Sequence, residues 1–113
     1  VEVRPDPEGL NRLFVTAPEW DAAFEVYGVC PVQASGTVRG RDLYFRARHG
    51  SWSFDVADSR GNLPSDGFSE SDGFYREGVD PHYGYMPLPE AVEVIADCLR
   101  EYTGANAAPD GGR

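Results

Sequence analysis

Between residues 33 and 58, QASGTVRGRDLYFRARHGSWSFDVAD, apolar and polar residues alternate, and the alternation fixes a register. With a two-residue turn at His49-Gly50, Phe45 faces Phe54, Ala47 faces Trp52 and Leu43 faces Val56, so every apolar side chain of the pair shares one face. A one-residue slip scatters them. A second two-residue turn at Arg39-Gly40 sets Ala34 against Phe45 and Gly36 against Leu43 on that same face, whereas an odd-length loop sets Val38 against Asp42. The pattern predicts a three-stranded antiparallel meander over 33–58.

The flanks are read the same way. NRLFVTA (11–17) alternates Leu13, Val15 and Ala17 with Arg12, Phe14 and Thr16, a strand signal. Over 18–27 the pattern changes: Trp20, Phe24 and Tyr27 recur at helical spacing, Pro18 suits a first helical position, Glu19 and Asp21 suit its positive end, and Gly28 suits the position after its last turn. This predicts a short N-terminal helix over 18–27, with a strand through FEVYGVCPV as the competing reading. Residues 1–9, rich in Pro, Asp and Glu, read as an irregular lead-in. LPEAVEVIADCLREYTG (88–104) predicts a C-terminal helix, opened by Pro89 and closed by Gly104, with Val92, Ile95, Ala96, Leu99 and Tyr102 on one arc.

A sheet with one apolar face and a helix with one apolar stripe each bury that surface against the other. The expected fold class is therefore α+β: an antiparallel β-meander of three to five strands, with the C-terminal amphipathic helix on one face and the short N-terminal helix beside it. Residues 1–104 form a single domain in this reading, and 105–113 a flexible tail. The expected core is Leu13, Val15, Trp20, Phe24, Val38, Leu43, Phe45, Trp52, Phe54, Val56, Val92, Ile95, Leu99 and Tyr102.

Charge narrows the partners. Nineteen acids oppose ten cations, every one an arginine, for a net charge of -9. That balance argues against nucleic-acid and anionic-membrane binding, both of which need a basic footprint, and suits a partner protein with a basic surface. No apolar run approaches the roughly 18 residues of a membrane span, and VEVRPDPEGL has no signal-peptide core, so the expected location is the cytoplasm. Cys30 and Cys98, without a CxxC pair or a histidine at ligand spacing, give no zinc pattern and read as buried thiols, although spacing leaves a disulfide open.

One stretch departs from every period: SDGFSESDGFYREG (65–78), within a segment from Leu63 to Met86 that reads as a long loop. Its acids do not make a calcium loop. Gly73 at the sixth position puts Phe68 first and Val79 twelfth, and Gly67 there puts Asn62 first and Gly73 twelfth. Each Asp-Gly is a turn signal followed by an aromatic anchor, Phe68 in one unit and Phe74 in the other. The expectation is an ordered loop pinned by its aromatic residues. No metal and no cofactor is called for.

Two surfaces carry candidate chemistry. Glu90, Glu93, Asp97 and Glu101 form an acidic stripe along the outer side of the C-terminal helix, where like charges at i,i+4 cost a few tenths of a kcal/mol each. With Phe68, Phe74 and Tyr75 of the loop, they are the candidate partner-binding residues. Tyr44, Arg46 and Arg48 share the outer face of the meander, with Asp55 opposite Tyr44 and diagonal to Arg46. Together with His82 they are the candidate anion-binding residues, since paired arginines and a tyrosine suit planar anions. His49 reads as a turn residue, and His82, near Asp80, as the sole acid–base candidate of the loop. No nucleophile elbow, GxGxxG or Walker pattern occurs. The reading favoured is a small acidic, non-enzymatic interaction protein of inhibitor, immunity or accessory type. The alternative is an anion- or small-molecule-binding domain, or a minor enzyme, using the Arg/Tyr face. The exposed edges of a small sheet leave a homodimer open.

Overall fold

The computed structural model describes residues 1–67 and 72–105. Strands β1 (Glu2–Pro5), β2 (Arg12–Ala17), β3 (Ala22–Tyr27), β4 (Val32–Val38), β5 (Arg41–Arg48), β6 (Ser51–Val56) and β7 (Phe74–Val79) precede the helix α1 (Leu88–Ala105). The strands lie in chain order in a single seven-stranded sheet, each antiparallel to the next. The architecture is the expected α+β pair of layers, with more strands than expected and no N-terminal helix.

The central register follows the hydrophobic pattern residue by residue. Phe45 pairs with Phe54, Ala47 with Trp52, and Leu43 with Val56, while Ala34 pairs with Phe45 and Gly36 with Leu43. Both two-residue turns have positive φ at both central residues, Arg39-Gly40 and His49-Gly50, the geometry whose twist matches that of the flanking strands. The inner face of the sheet gathers Val15, Phe24, Val26, Val38, Phe45, Phe54 and Val56 around Ile95, Leu99 and Tyr102 of α1 in one buried cluster. Leu13, Trp20 and Trp52, expected in the core, pack against that cluster half-buried. The tail expected over 105–113 lies outside the described residues beyond Ala105, where α1 ends.

Three segments differ from their expected form. Pro18, Glu19 and Trp20 make a single 3₁₀ turn, which stops at Asp21 in the left-handed region. The chain from Ala22 then runs extended as β3, because the period-two set Ala22, Phe24 and Val26 is buried while Ala23, Glu25 and Tyr27 face outward. The helix-start signals were real but served one turn, and the two-residue period won the rest. The lead-in forms strand β1, an edge strand with little apolar content of its own to announce it. The long loop contains strand β7, whose inward positions are Phe74, Arg76 and Gly78. Apolar alternation fails there because an arginine and a glycine stand where apolar side chains belong. The Arg76 guanidinium lies 4.3 Å from the Phe74 ring centre, and a Cβ on Gly78 would stand 2.5 Å from the Trp52 ring. Trp52 covers β7 where β7 has no side chain.

Gly36 is the tightest point of the sheet. A Cβ there would overlap the Ala23 carbonyl oxygen and the side chain of Phe24, which faces it across the β3–β4 ladder. Gly36→Ala is expected to lower stability by roughly 1–3 kcal/mol in denaturant unfolding. Gly104→Ala, in open space within α1, is expected to raise it by about 0.5–1 kcal/mol. Equal effects at the two positions would contradict the packing described.

Candidate functional site

The outer face of the sheet is polar and only half-buried, and its rungs follow from the register. One rung carries Arg12, Tyr27, Gln33, Arg46, Ser53 and Glu77 from β2 to β7; the next carries Phe14, Glu25, Ser35, Tyr44, Asp55 and Tyr75. The Tyr44 hydroxyl donates to Gln33 Oε1 at 2.7 Å, and burial raises its pKa. The Tyr75 hydroxyl donates to Glu77 Oε1 at 2.9 Å, and that bond raises its pKa. Arg46 and Arg48 line a shallow cleft of about 310 Å³ with His49, Ser53, Tyr75 and Glu77. Neither arginine makes an ion pair among the described residues, and Arg46 Nε is closed off from solvent without an acceptor.

Asp55 sits opposite Tyr44, as the register requires, but it is not a solvated partner for Arg46. The 3₁₀ turn Pro64–Asp66 folds over it, and the Ser65 N–H donates to Asp55 Oδ2 at 2.8 Å. The loop thus buries the end of the outer face that the sequence leaves open.

His82 does not join the arginines. Its Nε2 lies 2.9 Å from Glu90 Oε1 on α1. The neighbouring Asp80 is buried, and its carboxylate accepts the backbone N–H groups of His82 and Gly84, so it organises the turn that leads into α1. That turn packs on the His49-Gly50 hairpin, where the Asp80 N–H donates to the Gly50 carbonyl at 2.8 Å. Asp80 is a turn cap, and its oxygens are taken by the backbone instead of the imidazole.

On α1 the acidic stripe is exposed but partly neutralised. Besides the Glu90–His82 contact, Asp97 pairs with Arg100 at 2.6 Å, and Glu101 pairs with Arg76 of β7 at 2.7 Å. The Arg76 bond holds the Glu101 carboxyl below the usual carboxylate range. Glu93 makes no ion pair among the described residues. A second shallow cleft, of about 280 Å³, lies between β7 and α1 and is lined by Arg76, Glu77, Val94, Asp97, Cys98 and Glu101 together with Trp52.

The aromatic stretch divides. Phe74 is an anchor, as its turn-plus-aromatic pattern implies, edge-on to Phe54 at 6.2 Å and to Tyr102 at 5.2 Å. Its burial in the core removes it from any contact surface. Asp72 ties the stretch to its surroundings, accepting from the Ser59 N–H at 3.2 Å and pairing with Arg41 at 3.5 Å. Tyr75 is exposed, and Phe68 lies outside the described residues. Among the described residues no three metal-ligating side chains come together. No helix among the described residues is long and apolar enough to cross a membrane.

In comparisons with protein-family models, curated proteins and solved structures, nothing matches this chain. The geometry itself therefore carries the reading. It brings together residues that the sequence kept apart: Arg46, Arg48 and Glu77 on one side of β7, Asp97 and Glu101 on the other. Glu77 and Val79 were hidden because β7 has no apolar period. The cue available was the β-forming pair Tyr75 and Val79 on the outer face, four residues apart with Glu77 between them.

The two cysteines are free thiols in different surroundings, Cys30 exposed and Cys98 buried. Burial, then the nearby Glu101 and Asp97 carboxylates, push the Cys98 thiol up to about 12. One equivalent of a thiol reagent is expected to react with the folded protein, at Cys30, and the second only on unfolding. The raised value favours the folded thiol form: its contribution is complete below about pH 9 and is lost as pH rises toward about 12. Cys98→Ala should flatten that alkaline limb, and an unchanged limb would contradict the assignment.

Proposed function

We propose that this chain is a non-enzymatic interaction protein of inhibitor, immunity or accessory type, which binds a partner protein with a basic surface. The observation that carries the reading is the distribution of charge. The outer face of the sheet holds four arginines (Arg4, Arg12, Arg46, Arg48) against four acids outside the Asp55 site (Glu2, Glu25, Asp42, Glu77). With Asp55 counted, that face is one negative charge in excess, so eight of the nine excess negative charges lie off it. The exposed carboxylates of α1 are the ordered part of that excess, repeated along a rigid rod at fixed spacing. Such an array steers a basic partner and fixes its orientation more than it adds raw affinity.

A second reading, anion binding on the outer face, is favoured by one observation: Arg46 and Arg48 stand side by side without an ion partner among the described residues, in a protein dominated by acids. Its site would be Arg46 and Arg48 with His49 and Ser53, since the hydroxyl of Tyr44 and the imidazole of His82 are engaged elsewhere.

The two readings separate in one experiment. The immobilised protein captures its partner from lysate of the source organism at low salt and releases it at high salt. Glu93→Arg with Asp97→Arg is expected to weaken capture and its salt dependence together, and Arg46→Ala is expected to leave both unchanged. If the charge reversal has no effect while Arg46→Ala abolishes binding of phosphate or citrate without shifting Tm, the second reading replaces the first.

A further inference from the structure

An open sheet has two edges, and the hydrogen-bond parity of this one decides which edge is available. On β1 the Asp6 N–H donates to the Arg12 carbonyl, so by alternation Val3 and Pro5 direct their backbone groups outward. One of these two positions is a proline, which has no N–H to offer and blunts the edge. On β7 the Asp80 N–H donates to Gly50, so Gly78, Arg76 and Phe74 bond to β6, while Tyr75, Glu77 and Val79 turn outward. Arg76 Nη1 closes the Tyr75 carbonyl at 2.8 Å. The N–H and C=O of Glu77 and Val79 have no such cover among the described residues, and the Val79 side chain is 78% exposed.

This open edge is flanked by both shallow clefts. The outer cleft reaches it at Tyr75 and Glu77, and the inner cleft, against α1, reaches it at Arg76 and Glu77. A strand laid along β7 would send alternate side chains to the two sides, the anatomy of recognition by strand addition: main-chain bonds give affinity and the flanking clefts give selectivity. The inner cleft sets two carboxylates (Asp97, Glu101) against one guanidinium (Arg76), and its floor includes Val94. It suits lysine or arginine, whose apolar stem packs while the head reaches the acids. The outer neighbours, Tyr75 and Val79, suit β-branched or aromatic partners.

We propose that β7 is the docking edge for an extended segment of a partner protein, alternating basic with β-branched or aromatic residues, which adds as an eighth, antiparallel strand. The proposal rests on the basic-partner reading above and names its mode. A second copy of this chain fits less well. A β7–β7′ pair centred on Glu77, the register that brings each Tyr75 opposite a Val79, also sets the two Glu77 carboxylates directly opposite each other.

The test uses the full chain and an acetylated, amidated heptapeptide alternating lysine with valine, followed by amide hydrogen exchange and chemical shifts. In antiparallel addition the valines oppose Glu77 and Val79 and turn their N–H groups toward β7. The Glu77 and Val79 amides are expected to slow about tenfold or more on saturation. N-methylation of the valines is expected to weaken binding by about tenfold or more, and N-methylation of the lysines far less. Equal affinity of the valine-methylated and unmodified peptides, or shifts confined to α1, would overturn strand addition while leaving the basic-partner reading intact. No binding by either peptide would overturn it too, the reading itself then standing or falling on the Glu93/Asp97 reversal. A doubled mass in light scattering, lost with Val79→Lys, would assign the edge to a second copy and overturn the peptide occupant.

Discussion

The fold depends on one interaction, the burial of the apolar stripe of α1 against the inner face of the sheet. Seven strands in simple succession supply backbone pairing but only one apolar face, and that face has a single helix to cover it. Ile95 and Leu99, both fully buried, sit where the central strands deliver Phe45, Phe54 and Val26. Everything else is arranged around that contact. Gly36 lets Phe24 lie close, Gly78 lets Trp52 cover the last strand, and the Phe54–Phe74–Tyr102 aromatic series carries the core out to β7.

A single helix also limits what the fold can protect. The helix ties to β7 through the buried Phe74–Tyr102 ring contact and, at the surface, the Arg76–Glu101 pair. An ion pair that exposed contributes little to stability, but it fixes where the helix's acids stand relative to the strand. The consequence is that the proposed functional surface sits at the margin of the sheet, where the β7 edge, the acidic helix face and two arginines without an ion pair among the described residues lie near one another.

How much of this is legible in the sequence depends on what each segment buries. The 33–58 meander is read to the exact residue pair because both of its turns are short and its face is fully apolar, so a single register satisfies it. The C-terminal helix is read for the same reason. β3 is misread because Trp20, Phe24 and Tyr27 recur at helical spacing, whereas the set that buries is Ala22, Phe24 and Val26, at period two. β1 and β7 are missed because edge strands have few apolar neighbours: Arg76 and Gly78 hold inward positions by leaning on Phe74 and admitting Trp52, contacts between residues far apart in the chain. For the same reason the acidic stripe is legible as a pattern, whereas its partners His82 and Arg76 are not. Asp80 beside His82 looks like an acid–base pair in sequence, but the carboxylate turns to the backbone because a buried turn needs its N–H groups satisfied.

The docking of α1 into the sheet is tested most directly by Leu99→Ala, followed by urea unfolding with helix and sheet signals read separately. Leu99 is fully buried at the centre of the contact, so the account predicts a loss of about 2–5 kcal/mol, with both signals lost in one transition. A loss below about 1 kcal/mol, or a helix that melts while the sheet remains, would contradict the claim that this contact holds the structure together.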